Sequence, residues 1–259
     1  MKLSGPYFDR LSDEDRLFAS HTADIIDICE RKYIPRFTAF LDGNQVEIAR
    51  SVLGNIGFEN YCFYGGFDEA SRCVLGVYPP YSECELSDFP ITALEIRYRS
   101  EKKLSHRDFL GSFMSCGINR NMIGDIIVND GLTVAFVYNT IADTIMNEVK
   151  KIGSEGVKIS VNSSPKIKPN ESFKEISGTV SSLRADCVIS LALKLSREKT
   201  AQLIRSGNVM INSRPCESVS KEMNCGDVFS ARGHGKFIFT SINGTTKRDR
   251  IHITIKKYI

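Results

Sequence analysis

The sequence lacks several features that would place the protein in a membrane, outside the cell or in a metal-dependent class. It contains no run approaching the roughly 18 apolar residues that cross a bilayer. Its first residues lead into charged sequence without the apolar core of a secretory signal. Its eight cysteines form no C-x-x-C pair, and no Cys or His cluster has zinc-ligand spacing. We therefore expect a cytoplasmic protein without membrane association, metal or other cofactor.

Catalytic motifs are scarce as well. The stretch Gly124-Asp125-Ile126-Ile127 is a poor match to the catalytic segment of a pseudouridine synthase, and Phe63-Tyr64-Gly65-Gly66-Phe67 lacks the helix signal that should follow a methyltransferase cofactor loop. Residues 1–179 cannot hold the nucleotide-binding domain of a tyrosyl-tRNA synthetase. The histidines are scattered and have no nucleophile pattern beside them: His21, His106, His234 and His252. We predict that the protein is not an enzyme and has no catalytic residue.

Positive charge is concentrated at one end of the chain. Residues 180–259 contain 14 Lys and Arg against 6 Asp and Glu, whereas residues 1–179 contain 20 against 25. Within the latter, residues 1–85 carry 8 basic against 14 acidic side chains. Because the basic segment also contains patterned apolar residues, it predicts a folded polyanion-binding face rather than a solvated tail.

Residues 1–85 have the pattern of a small α+β domain. Three acids near Asp13 favour the start of a helix that runs to Glu30. A strand at 36–40 follows, then a helix from Asn44 to Leu53 with Gly54 as its predicted stop. Two further strands, 61–64 and 73–78, complete the domain.

Residues 86–165 predict a ferredoxin-like or RRM-like domain. Strands at 91–99, 125–128, 132–138 and 157–161 alternate with helices at 106–116 and 141–152 in the order β-α-β-β-α-β. Asn129-Asp130-Gly131 predicts the hairpin turn. Phe136 and Tyr138 share a strand face, where an RRM would stack bases, but we expect them to pack in the core. The stretch from Ser163 to Thr179 contains Pro165, Pro169, Asn170 and Gly178, which indicates a connector, and we predict a linker at 166–179.

Residues 180–240 resemble the S4 RNA-binding domain, and 180–259 are interpreted as that domain. The resemblance rests on fixed spacings along about sixty residues: Leu183-Arg184-Ala185-Asp186, Leu195-Ser196-Arg197, Ala201, Leu203-Ile204, Gly207, Val209, Asn212 and Gly226-Asp227. The sequence departs from the pattern at Ala185 and Ser213, which affects fine geometry. The expected fold is thus α+β and multidomain, with a C-terminal S4 (αL-type) domain.

The local chemistry of this segment agrees with the resemblance. Ser196 is a good helix N-cap, and Gly207 suits a left-handed position after a helix from Arg197 to Ser206. Asp186 is expected to orient its neighbours rather than bind RNA, and Asn212 to serve either the turn or the RNA. Cationic and polar residues form the predicted RNA-binding set: Arg184, Lys194, Ser196, Arg197, Lys199, Arg205, Asn212, Arg214, Arg232 and Lys236. Arg107 and Arg120 are candidates for a second RNA contact in the middle domain. The alternative is that they only belong to a charged face exposed to solvent.

Further stretches make the whole chain resemble the YlmH family of bacterial S4-containing proteins. These are Phe63-Tyr64-Gly65-Gly66, His106-Arg107-Asp108-Phe109-Leu110-Gly111-Ser112, Asn119-Arg120, Ile123-Gly124-Asp125-Ile126 and Arg232-Gly233-His234-Gly235-Lys236-Phe237. The resemblance implies a factor in ribosome-associated quality control, which binds ribosomal RNA and tRNA on a large subunit that still carries peptidyl-tRNA and supports alanine tailing of the stalled chain. We expect a monomer. The alternatives are an RNA-modifying enzyme targeted by its S4 domain and an adaptor linked to cell division.

Overall fold

A computed structural model of the chain describes residues 3, 5–99, 101, 103–163, 173–212, 214–246 and 249–258. The chain forms two compact units, Met1–Asn170 and Glu171–Ile259. In the described ranges no helix has the length and apolar character needed to cross a membrane.

The first unit begins with helices packed on a small antiparallel sheet. Its elements are α1 (Pro6–Asp9), α2 (Asp13–Lys32), β1 (Arg36–Leu41), α3 (Gly43–Ile56), β2 (Tyr61–Tyr64) and β3 (Cys73–Val77), with strand order β1-β3-β2. Ser12 caps α2 by accepting a hydrogen bond from the Asp15 amide at 3.1 Å. The predicted stop of the second helix at Gly54 is wrong. Helix α3 continues to Ile56 because its apolar side packs in the core, and Gly57, at a φ of +73°, ends it.

The middle of the chain confirms the predicted β-α-β-β-α-β order. Its elements are β4 (Ile91–Arg97), α4 (His106–Ser115), β5 (Ile123–Asn129), β6 (Leu132–Tyr138), α5 (Asn139–Glu148) and β9 (Lys158–Val161). The strands lie in the order β5-β6-β4-β9, all antiparallel to their neighbours. Helix α5 ends at Glu148, four residues before the predicted end. A short hairpin, β7 (Lys151–Ile152) with β8 (Glu155–Gly156), precedes β9.

The face of this four-stranded sheet that carries no helices is partly covered by the N-terminal sheet. Phe136, only 2% exposed, stacks on Phe67 with ring centroids 5.0 Å apart. Phe40, Val74 and other residues of the N-terminal sheet belong to the same buried cluster. The expectation that Phe136 packs in the core is therefore confirmed, and the segments predicted as separate domains at 1–85 and 86–165 share a core.

The second unit is a six-stranded antiparallel sheet with two helices on one face. Its elements are β10 (Phe173–Val180), α6 (Ala185–Leu193), α7 (Arg197–Arg205), β11 (Val209–Ile211), β12 (Arg214–Pro215), β13 (Val228–Ala231), β14 (Gly235–Thr245) and β15 (Ile251–Tyr258). The strand order is β10-β15-β14-β13-β11-β12. Ile204, Phe229 and Ile255 are among the residues of its single buried cluster.

The predicted linker at 166–179 differs from the structure over its second half. Residues 173–180 form β10, which pairs with β15 in unbroken register from Phe173 opposite Tyr258 to Val180 opposite Ile251. Strand β10 buries Val180, and Ile176 packs against the same core. Long-range pairing thus outweighs the loop-like local composition. Residues 166–172 lie outside the described part of the chain.

Candidate nucleic-acid interface

The two helices of the second unit are joined by a tight polar turn. Helix α6 ends at Leu193, and the next residue, Lys194, has a φ of +54°, in the left-handed region. Two residues later, the Ser196 hydroxyl accepts a hydrogen bond from the Lys199 amide at 3.3 Å and begins α7. At the other end of α7, Gly207 adopts a φ of +69° as predicted. This short connection places Lys194 and Arg197 close together in space.

A buried carboxylate links the starts of the two helices. Asp186, with a side chain 7% exposed, accepts a hydrogen bond from Arg184 Nε at 3.1 Å. It also accepts two from Arg197, at 2.6 Å from Nη2 and 3.2 Å from Nε. The two arginine side chains remain 44% and 54% exposed. The prediction that Asp186 orients its neighbours is therefore confirmed: it fixes two guanidinium groups that are still open to solvent.

The electrostatics of this cluster keep Asp186 ionised. Although burial opposes its ionisation, hydrogen bonds from Arg197 and Arg184 hold the pKa of Asp186 below its ordinary value. The hydrogen bond that Arg197 donates to Asp186 also raises the pKa of Arg197. Each of the two arginines has N–H groups beyond those given to Asp186, and these can bind a phosphate.

A pocket of about 350 Å³ lies beside this turn, and it contains one cation that the sequence did not indicate. Its lining consists of Thr179, Val180, Ser181, Cys187, Ser190, Leu191, Lys194, Leu195, Arg197 and Arg250, and we call it the Arg250 pocket. Arg250 Nη2 donates a hydrogen bond to the Thr179 carbonyl at 2.9 Å. Arg250 reaches the helix pair only because β15 begins at Ile251, opposite Val180. Local sequence carries no signal for that pairing.

The other predicted residues of the second unit are distributed over several surfaces. Lys199 and Arg205 are exposed on α7, Arg214 is exposed on β12, and Arg232 is exposed just after β13. Lys236 lies on the sheet face away from the helices, because its neighbour Phe237 points into the core, and its Nζ is 5.0 Å from the Tyr258 ring centre.

Asn212 builds a turn. Its amide nitrogen donates to Asp227 Oδ1 at 2.7 Å, and its amide oxygen accepts from the Val228 N–H at 2.9 Å. Its φ of +50° is a conformation that Asn tolerates better than most residues. Of the two roles expected for Asn212, the geometry supports the one in the turn, since both ends of the amide are engaged.

The two residues predicted to form a second RNA contact differ in environment. Arg107 is exposed in the first turn of α4. Arg120 is half-buried and donates a hydrogen bond to the Ile123 carbonyl, which also accepts from Arg72 Nε at 3.1 Å. Burial, followed by the nearby Arg72 charge, lowers the pKa of Arg120 to about 10. Since Arg72 also donates to the Phe40 carbonyl at 3.0 Å, Arg120 belongs to a structural junction with the N-terminal sheet.

The chain is similar to known proteins in sequence and in fold. Residues 84–166, which contain the four-stranded sheet, match a family model described as "Putative RNA-binding domain in YlmH". The chain is 29% identical over 252 residues to "Ribosome-associated protein quality control protein P2" of Bacillus subtilis (strain 168), a match that covers 96% of this chain and 98% of the relative. A solved structure, "Cell division protein ylmH from Streptococcus pneumoniae", superposes with a TM-score of 0.53 and is 26% identical in sequence. The match covers 64% of this chain and 100% of the chain in that structure.

The fold and these matches define a multidomain α+β RNA-binding protein. More specifically, the chain is similar in sequence and in fold to proteins of the YlmH family. The family model gives the RNA-binding role to the middle domain, whereas the sequence motifs pointed first to the C-terminal unit.

Proposed function

We propose that this protein is a non-catalytic factor that binds the large ribosomal subunit in ribosome-associated quality control. In this proposal it contacts ribosomal RNA and tRNA on a subunit that still carries peptidyl-tRNA, and it supports addition of alanine tails to the stalled chain. It acts as a cytoplasmic monomer without a cofactor. The name of the Bacillus subtilis relative supports the pathway. The single structural observation that carries the RNA contact is the Arg184–Asp186–Arg197 cluster.

The cluster suits a phosphate backbone for a physical reason. A flexible arginine loses conformational entropy when it binds, whereas Arg184 and Arg197 are already held by a buried acid. Their planar groups can still form paired hydrogen bonds with phosphate oxygens. Such contacts recognise the shape and charge of structured RNA rather than its base sequence.

Sedimentation of large subunits with the purified protein at low salt tests the proposal. We expect co-sedimentation that weakens steeply as salt rises, because phosphate contacts release counterions. The double variant Lys199→Glu/Arg205→Glu reverses two exposed charges on α7 without touching Asp186, and it should lose co-sedimentation. The matched control, Arg10→Glu/Lys32→Glu, reverses two charges in the acidic N-terminal segment and should behave as wild type.

Two outcomes would contradict the proposal: absence of the wild-type protein from the large-subunit fraction, or equal binding by the α7 variant. A third measurement addresses catalysis. Mass spectrometry of ribosomal and transfer RNA from a deletion strain should show no lost modification, and a single missing modification restored by the purified protein would favour the enzyme alternative.

A second candidate function is suggested by the name of the Streptococcus pneumoniae structure, a cell division protein. In that case the acidic N-terminal segment would be the docking surface of an adaptor. An association with division proteins that survives nuclease treatment and is lost in an Asp24→Lys/Asp27→Lys variant would favour this candidate over the ribosomal one.

A further inference from the structure

We infer that the Arg250 pocket binds one backbone phosphate of RNA together with the nucleotide attached to it. The inference rests on the proposed RNA binding and assigns a specific contact to it. Arg250 becomes an RNA-binding residue, although it is not in the predicted set and lies outside the helix pair.

The first argument is charge. Three of the ten lining residues, Lys194, Arg197 and Arg250, are cationic, and no carboxylate is among the described residues that line the pocket. Asp186, which is not among the lining residues, offsets part of the charge of Arg197. The pocket therefore has an excess of positive charge, which attracts an anion more strongly than a single exposed lysine does.

The second argument is that the fold holds two of the three cations in place. Arg250 is fixed by its hydrogen bond to the Thr179 carbonyl, and Arg197 by its bonds to Asp186. Lys194 follows α6 directly and has a left-handed backbone conformation, with a φ of +54°. Cations positioned in advance bind an anion with a smaller entropic cost.

The third argument concerns the rest of the lining. The Ser181 and Ser190 hydroxyls are further polar groups, and Val180, Leu191 and Leu195 provide apolar surface. A volume of about 350 Å³ lies at the lower end of the range of small-molecule sites, roughly 300–1,000 Å³. The combination fits a phosphate with a sugar and an unstacked base better than it fits an inorganic anion, which would use only the cations.

The test uses the full chain and two pocket variants. Arg250→Gln removes one cation, and Lys194→Asn removes another with a residue that tolerates the left-handed conformation. The control, Lys174→Gln, removes the same charge from strand β10, six residues or about 20 Å along the strand from Val180. Thermal melting first establishes that each variant is folded, and Lys194→Asn decides the result if Arg250→Gln is not.

Two binding readouts separate this inference from the proposed function. Anisotropy with a labelled single-stranded oligoribonucleotide and sedimentation with large subunits are each measured over a salt series. We expect each pocket variant to bind about tenfold more weakly and to lower the salt slope by about one counterion, while the control does not change. Wild-type affinity and slope in both pocket variants would overturn the pocket and leave the proposed function intact. Oligonucleotide binding lost in the variants, without any wild-type binding to large subunits, would support the pocket and contradict the proposed function.

A third probe distinguishes an RNA phosphate from a free anion. Addition of adenosine monophosphate should shift the backbone amide resonances of Ser181, Ser190 and Leu195 in nuclear magnetic resonance spectra of the labelled protein. Inorganic phosphate at the same concentration should shift them less. Equal shifts from both ligands, together with unaltered RNA binding in the variants, would mark a free-anion site and overturn the inference.

Discussion

The carboxylate of Asp186, at the start of α6, accepts two hydrogen bonds from the guanidinium of Arg197, at the start of α7, at 2.6 and 3.2 Å. One partner is buried and the other is about half exposed. The pair therefore connects the core of the second unit to its cationic surface. A change at Asp186 should affect both the stability of the fold and the RNA contact.

Asp186→Asn should lower the free energy of unfolding. The amide keeps the shape of the side chain, but it lacks the negative charge and the second oxygen acceptor. The carboxylate of Asp186 uses both of its oxygens to accept hydrogen bonds from Arg184 and Arg197. Because both arginines are about half exposed, we expect a loss of about 1–2 kcal/mol, less than for a fully buried pair. Denaturant unfolding of the variant measures it. Glu198→Gln, on the exposed face of α7, is the control and should stay within about 0.5 kcal/mol of wild type.

The same pair predicts a dependence of stability on pH. Because the pKa of Asp186 is lower in the folded protein than its ordinary 3.8, its contribution is fully present well above pH 3.8. As the pH falls below that value, Asp186 is protonated in the unfolded chain before it is protonated in the folded protein. Its contribution to stability therefore decreases, and it is lost once the pH has fallen below the pKa of Asp186 in the folded protein. The difference in unfolding free energy between wild type and Asp186→Asn should be constant above about pH 5 and shrink below about pH 4. A difference that grows towards low pH would contradict this assignment.

Phe136 should act through packing between the two sheets of the first unit. It is 2% exposed and stacks on Phe67, so Phe136→Ala should cost about 3–5 kcal/mol in unfolding free energy. The control is Tyr81→Ala, since Tyr81 is 93% exposed and its truncation should be nearly neutral. If Phe136 instead stacked on RNA bases as in an RRM, the substitution would weaken RNA binding at unchanged stability. Chemical denaturation and RNA titration of both variants separate the two cases.

The parts of the fold that the sequence could predict are those determined by local pattern. Alternating strands and the Asn129-Asp130-Gly131 turn were enough for the ferredoxin-like order, and the Ser196 cap with Gly207 was enough for α7. Pairing between segments that are distant in the chain could not be predicted from local pattern. Strand β10 was interpreted as a linker because its partner, β15, lies more than seventy residues away.

The candidate site shows the same division. Arg184 and Arg197 lie at the starts of α6 and α7, at the spacing of the motif, so they could be identified from the sequence alone. Arg250 could not, because only the β10–β15 pairing brings it to Thr179. Arg120 is the converse case, since nothing in the local sequence indicates that it shares the Ile123 carbonyl with Arg72.

Arg120 and Arg107 should therefore respond differently to the same substitution. Arg120→Gln breaks the hydrogen bond to the Ile123 carbonyl at a half-buried junction, and we expect it to lower the unfolding free energy by about 1–3 kcal/mol. Arg107→Gln removes an exposed charge and should leave stability within about 0.5 kcal/mol of wild type. If the middle domain does bind RNA, Arg107→Gln should reduce affinity and the salt slope while the fold stays intact. Thermal melts and RNA titrations of the two variants, made side by side, give the result. Equal stability of the two would show that Arg120 is not a structural residue, and unchanged RNA binding by Arg107→Gln would remove it from the interface.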